Sequence, residues 1–272
     1  RIAQPEHSGI QSEKKMPMAW FDKLAAGLQA WFTKFREEFV LNFIEGDRWK
    51  WLVQELGNTL RITAVALLLG LLIGVVVASV RASYDKNREM LALHGGFGYR
   101  LFGFFNWLCR VYLAIIRGTP VVVQLLIMYF VIFAWSRNAI LVATLAFGIN
   151  SGAYVSEIVR GGLMSVDKGQ MEAGRSLGLN YMTTMRFIVI PQAVKAILPA
   201  LGNEFIILLK DTSLITVIGG KELLYAAQGI YNRTYEQMFP LIGTAALYLV
   251  LVIILSWLLG KLERRLRQSD RR

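Results

Sequence analysis

Asn150, Tyr154 and Glu157 are spaced four and then three apart in and at the end of an uncharged run, so on a helix they form one polar stripe, with Asn150 near the bilayer centre. A second polar set follows at Asn203, Glu204, Lys210, Asp211, Thr212 and Ser213. Asn203 shares a helix face with Lys210, and Glu204 shares the adjacent face with Asp211. An uncompensated charge at membrane depth costs roughly 2.5 to 3.5 kcal/mol on insertion scales, so these groups should meet a partner or a watery cavity. Lys210 would hold a carboxylate, and Glu204 or Asp211 an ammonium. In the plainer reading, of equal standing, Lys210 and Asp211 pair with each other at the membrane edge. Pro199 removes the backbone bond to Lys195 and Gly202 loosens the same helix, which exposes carbonyls to a solute or simply kinks the chain.

Other chemistry is absent from the sequence. Gly220-Lys221 is followed by Glu222, so the phosphate-loop pattern fails. No nucleophile with a base and no paired acid and base are apparent. Cys109 is the one cysteine, and His7 and His94 are isolated, so no metal site and no catalysis are expected.

The elements that must carry these residues are membrane helices. Hydrophobic residues make up 55% of 272, and mean hydropathy is +0.45. About 20 apolar residues suffice for one crossing. Uncharged runs predict spans at 60–80, 118–136, 138–157 and 238–260, and a run interrupted by Lys195, Glu204, Pro191 and Pro199 predicts one more at 187–209. The fold class is therefore all-α, with five transmembrane helices. Net charge is +11, with basic residues concentrated in 81–117, in the segment after the third span, and in the tail 261–272. The positive-inside rule places all three in the cytoplasm, the C-terminus inside and the N-terminus outside, against nine Lys and Arg in the first 61 residues. That distribution accounts for the charge without nucleic acid.

Three shorter features complete the organisation. Residues 1–15 are polar and expected to be mobile. Trp20, Phe21, Leu24, Leu28, Trp31, Phe32, Phe35 and Phe39 recur at helical spacing opposite Lys23, Lys34, Arg36 and Glu37, which predicts an amphipathic helix lying in the membrane interface or packed on the bundle. The N-terminal region is bounded at 1–57 and the membrane domain at 58–260. At Arg117-Gly118-Thr119-Pro120, Pro120 disfavours helix at Thr119, so the chain should turn there before climbing into the second span, leaving Arg117 at the cytoplasmic edge to snorkel or hold a phosphate. Ser165 or Asp167 can cap a helix over about 168–178 that Gly178 terminates in the left-handed conformation. Ten residues are too few for a stable isolated helix, so this one needs a partner surface.

Glu172-Ala173-Gly174-Arg175-Ser176-Leu177-Gly178, with Gln170 before it and Ile190-Pro191 after it, resembles the EAA loop of ABC-importer membrane subunits; Gly174 replaces the family's second alanine. Arg117-Gly118-Thr119-Pro120 with Gln124, Asn150 to Tyr154 with Glu157 and Arg160, Pro191-Gln192-Ala193 and Lys210 to Leu214 are similar to the binding-protein-dependent polar amino-acid permeases. The resemblance covers about residues 58–260. It implies a type I ABC importer permease with Gln170, Glu172, Ala173, Gly174, Leu177 and Gly178 in a cytoplasmic coupling helix. It further implies a second permease subunit, identical or homologous, a cytoplasmic ATPase dimer that binds ATP and Mg, an extracytoplasmic amino-acid-binding protein and a bacterial inner-membrane location. No cofactor would be bound by this chain. The alternatives are a permease for another small solute such as methionine or an oxyanion, a secondary transporter or channel, and a membrane scaffold without transport.

Overall fold

The computed structural model describes residues 16–94 and 97–268; the polar stretch 1–15 and the last four residues of the basic tail lie outside the described residues. Every regular element among the described residues is helical. The order is α1 (Met16–Phe39), α2 (Trp49–His94), α3 (Phe97–Gly118), α4 (Val121–Ile127, continued by a wide turn over Met128–Ile132), α5 (Ala139–Met164), α6 (Lys168–Ser176), α7 (Tyr181–Thr184), α8 (Ile190–Asp211), α9 (Leu223–Thr234) and α10 (Met238–Gln268). Among the described residues, five segments are long and apolar enough to cross a membrane: Trp49–Asp85, Arg100–Gly118, Ala139–Met164, Tyr181–Ile218 and Met238–Leu266.

The centre of the bundle is the pair α2 and α5, which run in the same direction. Without a hydrophobic drive between helices in lipid, close backbone approach through small residues supplies the attraction. Gly70 and Gly74 on α2 and Gly148 and Gly152 on α5 supply it here. A methyl group at Gly74 would meet Val155 Cγ1 at 2.6 Å, and one at Gly148 would meet Leu69 Cδ2 at 2.5 Å. α8 runs back along α5, with Gly162 against Ile197 and Leu201 beside the Val155–Val159 cluster, and α10 covers α8 where Leu259 meets Gly202.

The count of five crossings agrees with the sequence reading, but the second one does not lie where it was expected. A crossing at 118–136 would put Arg117 to Pro120 at its start. Instead α3 itself is a candidate span. Its last turns, through Tyr112, Leu113 and Ile116, pack with Val77 and Ala153, whereas Leu125 of α4 packs with Ile62, Ala66 and Phe147 farther along the same two helices. The bend at Thr119-Pro120 thus lies inside the path of the helix pair. Arg110 and Arg117 hid this in the sequence by interrupting the apolar run. Two other expected boundaries also differ: α2 begins at Trp49 and passes unbroken through residue 57, and the interrupted run continues as helix from Tyr181 to Ile218, through Pro199.

Parallel α2 and α5 give the bundle two distinct ends. Trp51, near the start of α2, lies against Gly229 of α9 under the Arg233 guanidinium, 4.5 Å from the ring centroid. α6 follows the opposite end of α5.

Candidate functional site

Pro120 has no N–H, so the carbonyl of Ile116, four residues earlier, loses its helical donor. The Gln124 side chain replaces it: Nε2 donates to Ile116 O at 2.7 Å, and also to Thr119 Oγ1 at 2.8 Å and Thr119 O at 3.1 Å. Asn150 Nδ2 in turn donates to Gln124 Oε1 at 2.9 Å. Asn150 is buried, and its amide is engaged in orienting the glutamine across the break. Asn150, at the inner end of the polar stripe expected from the sequence, thus meets the broken α3–α4 helix.

The rest of the stripe meets the same segment. Arg117 lies over the Tyr154 ring, 5.9 Å from its centroid, and its guanidinium is 3.6 Å from Glu157 Oε1. Arg81 from α2 reaches the same oxygen at 3.3 Å, and one turn on Arg160 pairs with Asp85 at 3.3 Å. Arg117 and Arg81 thus share the Glu157 carboxylate. Tyr112 O–H donates to Ile149 O at 2.5 Å and completes the seam between α3 and α5.

Glu204 lies at the level of the α2–α5 crossing. Its Oε1 accepts from Ser151 Oγ at 2.8 Å, and it is only 6% exposed. Ser151 was not singled out from sequence, since a serine in an apolar run carries no signal of its own. Asn203 is exposed while Glu204 is buried, so the two do not line one wall within the protomer. Lys210 is exposed, and among the described residues no ion pair joins it to Asp211. Thr212 Oγ1 donates to Leu209 O at 2.6 Å and Ser213 Oγ to Lys210 O at 2.8 Å, so both hydroxyls fold back on the helix end they terminate.

A buried acid outside the sequence reading lies at the start of α9. Glu222 is fully buried and caps α9 by accepting from Tyr225 N–H at 2.9 Å, while Tyr248 O–H donates to its other oxygen at 2.7 Å. Burial pushes its carboxyl above the ordinary value; the hydrogen bonds oppose the shift and Glu55 adds to it. Read only as the residue that spoils a phosphate loop, Glu222 gave no sign of this role.

At the other end, α6 is built as the sequence predicts. Asp167 caps it, accepting from Gly169 N–H at 2.7 Å. Gly178 has φ +80°, Gly178 N–H donates to Arg175 O at 3.0 Å and Leu179 N–H to Gly174 O at 3.1 Å, the crossed pair that closes a helix on a left-handed residue. Gly174, where the family has alanine, is buried with no room for a methyl: a Cβ would meet Thr184 Cγ2 at 2.5 Å. Gln170 Oε1 accepts from Gln192 Nε2 at 3.2 Å and ties α6 to α8. Glu172 and Ala173 face outward, and Leu177 is 79% exposed. A short helix with one face against its own chain thus presents the other face, with an apolar tip, to whatever lies beyond.

Residues 90–268 match the family model described as binding-protein-dependent transport system inner membrane component. The putative glutamine transport system permease protein GlnP of Rickettsia bellii is 36% identical over 211 residues, covering 76% of this chain and 89% of the relative. The arginine transport system permease protein ArtQ of Bacillus subtilis is 35% identical over 222 residues, covering 80% of this chain and 94% of the relative. Among solved structures, an amino acid ABC transporter crystallised with histidines is similar with a TM-score of 0.69 at 38% identity, over 79% of this chain and 94% of that one. The MetNI methionine ABC transporter in an inward-facing form has a TM-score of 0.65 at 18% identity, over 82% of this chain and 99% of that one, a likeness of fold.

Proposed function

We propose that this chain, which belongs to the inner membrane components of binding-protein-dependent transport systems, is the membrane-spanning permease subunit of an ATP-driven amino-acid importer. The relatives named for glutamine and arginine support the substrate class. The observation that carries the coupling mechanism is α6: a capped helix held through Gly174 and Gln170, with Leu177 exposed at its tip. Its outward face receives a cytoplasmic ATPase dimer, which binds ATP and Mg, and its inward face passes motion to α7 and α8. A second permease subunit and an extracytoplasmic amino-acid-binding protein complete the assembly. The end bearing α6 is cytoplasmic, so the N-terminus and α9 lie outside and the C-terminus inside.

The translocation pathway follows the open faces of α5 and α8, where Tyr154, Asn203 and Lys210 are exposed, and is enclosed by the second subunit. Asn150, Glu157 and Glu204 stand behind that surface and hold its shape through Gln124, Arg117 and Ser151. The test is reconstitution in proteoliposomes with the partner ATPase and binding protein, assayed with a panel of labelled amino acids. Uptake is expected only when both partners and ATP are present. Equal uptake by the chain alone would make it a secondary transporter or channel.

A further inference from the structure

Helix α1 lies outside the segment that matches the family model, and the fold described so far gives it no role. Every residue from Trp20 to Glu37 is exposed. Placed at 3.6 residues per turn, Trp20, Leu24, Leu28, Trp31, Phe32 and Phe35 fall within an arc of about 120°. Lys23 and Lys34 flank one margin of the arc, and Arg36 flanks the other.

The direction of α1 is set by a closed elbow. A wide turn over Val40–Ile44 and a tight one over Glu45–Asp47, with Gly46 at φ +62° and Asp47 at φ +55°, separate α1 from α2. Inside the elbow, Asn42 is fully buried, donates to Glu38 O at 2.8 Å and accepts from Thr234 Oγ1 at 2.8 Å. The Arg48 guanidinium donates to Leu41 O across the turn. Phe35 packs against Phe239 in a tilted pair with centroids 5.0 Å apart, at the second residue of α10 and close in sequence to exposed Leu241 and Ile242 of a candidate span. The apolar arc of α1 is therefore continuous with the apolar surface where α10 enters the bilayer.

We propose that α1 is a lipid-binding arm, lying in the membrane plane on the leaflet at the α9 end of the bundle, with its aromatic arc at the boundary between headgroups and acyl chains. Tryptophan-rich arcs flanked by cations suit that boundary, where the rings bury and the amines reach the phosphates. At 24 residues the helix is about 36 Å long, enough to cover several lipids beside the bundle. The lipid contact stands independently of the functional reading; only the choice of leaflet rests on α6 facing the cytoplasm.

The test places a nitroxide label at Leu24→Cys, Leu28→Cys, Gln29→Cys and Thr33→Cys, one at a time, in the full chain carrying Cys109→Ser, in vesicles of phosphatidylethanolamine and phosphatidylglycerol. Collision with molecular oxygen, which concentrates in lipid, is compared with collision with a water-soluble nickel chelate. The oxygen-to-nickel ratio is expected to be several-fold higher at 24 and 28 than at 29 and 33. Free access of nickel to all four positions would overturn the proposal, as would exclusion of both reagents at 24 and 28, the result of packing on protein. If external nickel reaches Gln29→Cys from the side on which an impermeant maleimide labels Ser176→Cys, the leaflet assignment fails and the lipid contact stands.

Discussion

At the break in the second crossing, one proline removes a donor and one glutamine restores it. Gln124 spans the gap to Ile116 O, and Asn150 fixes the glutamine. Because each amide loses a buried partner when the other is cut, their effects should not add. Gln124→Ala and Asn150→Ala are each expected to destabilise the chain by about 1 to 3 kcal/mol. The double variant should fall short of the sum, with a coupling energy on the order of 0.5 to 3 kcal/mol read from thermal unfolding in detergent. Additivity would mean that the relay contributes nothing. Glu222 carries a second residue-scale expectation. Its carboxyl is raised above 4.5 chiefly by burial, so the folded state holds a proton that the unfolded state has released. The stability this contributes is fully present below pH 4.5 and is lost as pH rises through the folded-state value. Glu222→Gln, which stays neutral, should flatten that decline in a series of melting curves from pH 4.5 to 8. An unchanged slope would place the proton elsewhere.

At the scale of elements, α6 shows how a helix of nine residues is kept in place. Asp167 and Gly178 close its ends, Gly174 lets it lie on Thr184, and Gln170 ties it to Gln192. Valine at 178 would have to adopt φ +80°, which a β-branched residue resists, at a cost of about 1 to 3 kcal/mol. Gly178→Val is expected to leave the five spans folded and to uncouple ATP hydrolysis from uptake in the reconstituted complex; coupled uptake at the normal rate would remove α6 from the mechanism. The α2–α5 pair makes a different demand. There the glycines are needed for proximity, and Gly74→Leu has no space beside Val155, so loss of the folded chain on size-exclusion chromatography is the expected result.

For the whole molecule, the parallel run of α2 and α5 puts α1 and α9 at one end and α6 at the other. In the Cys109→Ser background, an impermeant maleimide applied to intact cells is expected to label Asn232→Cys and to spare Ser176→Cys until the cells are opened. The reverse pattern would invert the topology. The same arrangement separates the two ends chemically. The cationic and aromatic helix α1 lies at the α9 end, and the Arg81, Arg117, Arg160, Glu157 and Asp85 network lies toward the α6 end.

By itself the sequence determined the all-α class, the five crossings, the capped helix before Gly178 and the amphipathic helix over Trp20 to Phe39, because apolar length, helical spacing and end-capping are local properties of the chain. It also marked Asn150, Tyr154, Glu157 and Glu204 as polar groups needing partners at depth. Only the tertiary structure decided who those partners are. Gln124, Arg81 and Ser151 lie 26, 76 and 53 residues away along the chain in the bonds that fix Asn150, Glu157 and Glu204. The placement of the second crossing belongs with these, since Arg117 reads as an interruption of the apolar run until its carboxylate arrives from another helix. Burial and pairing are relations between distant segments, and a spacing pattern carries no information about which segments meet.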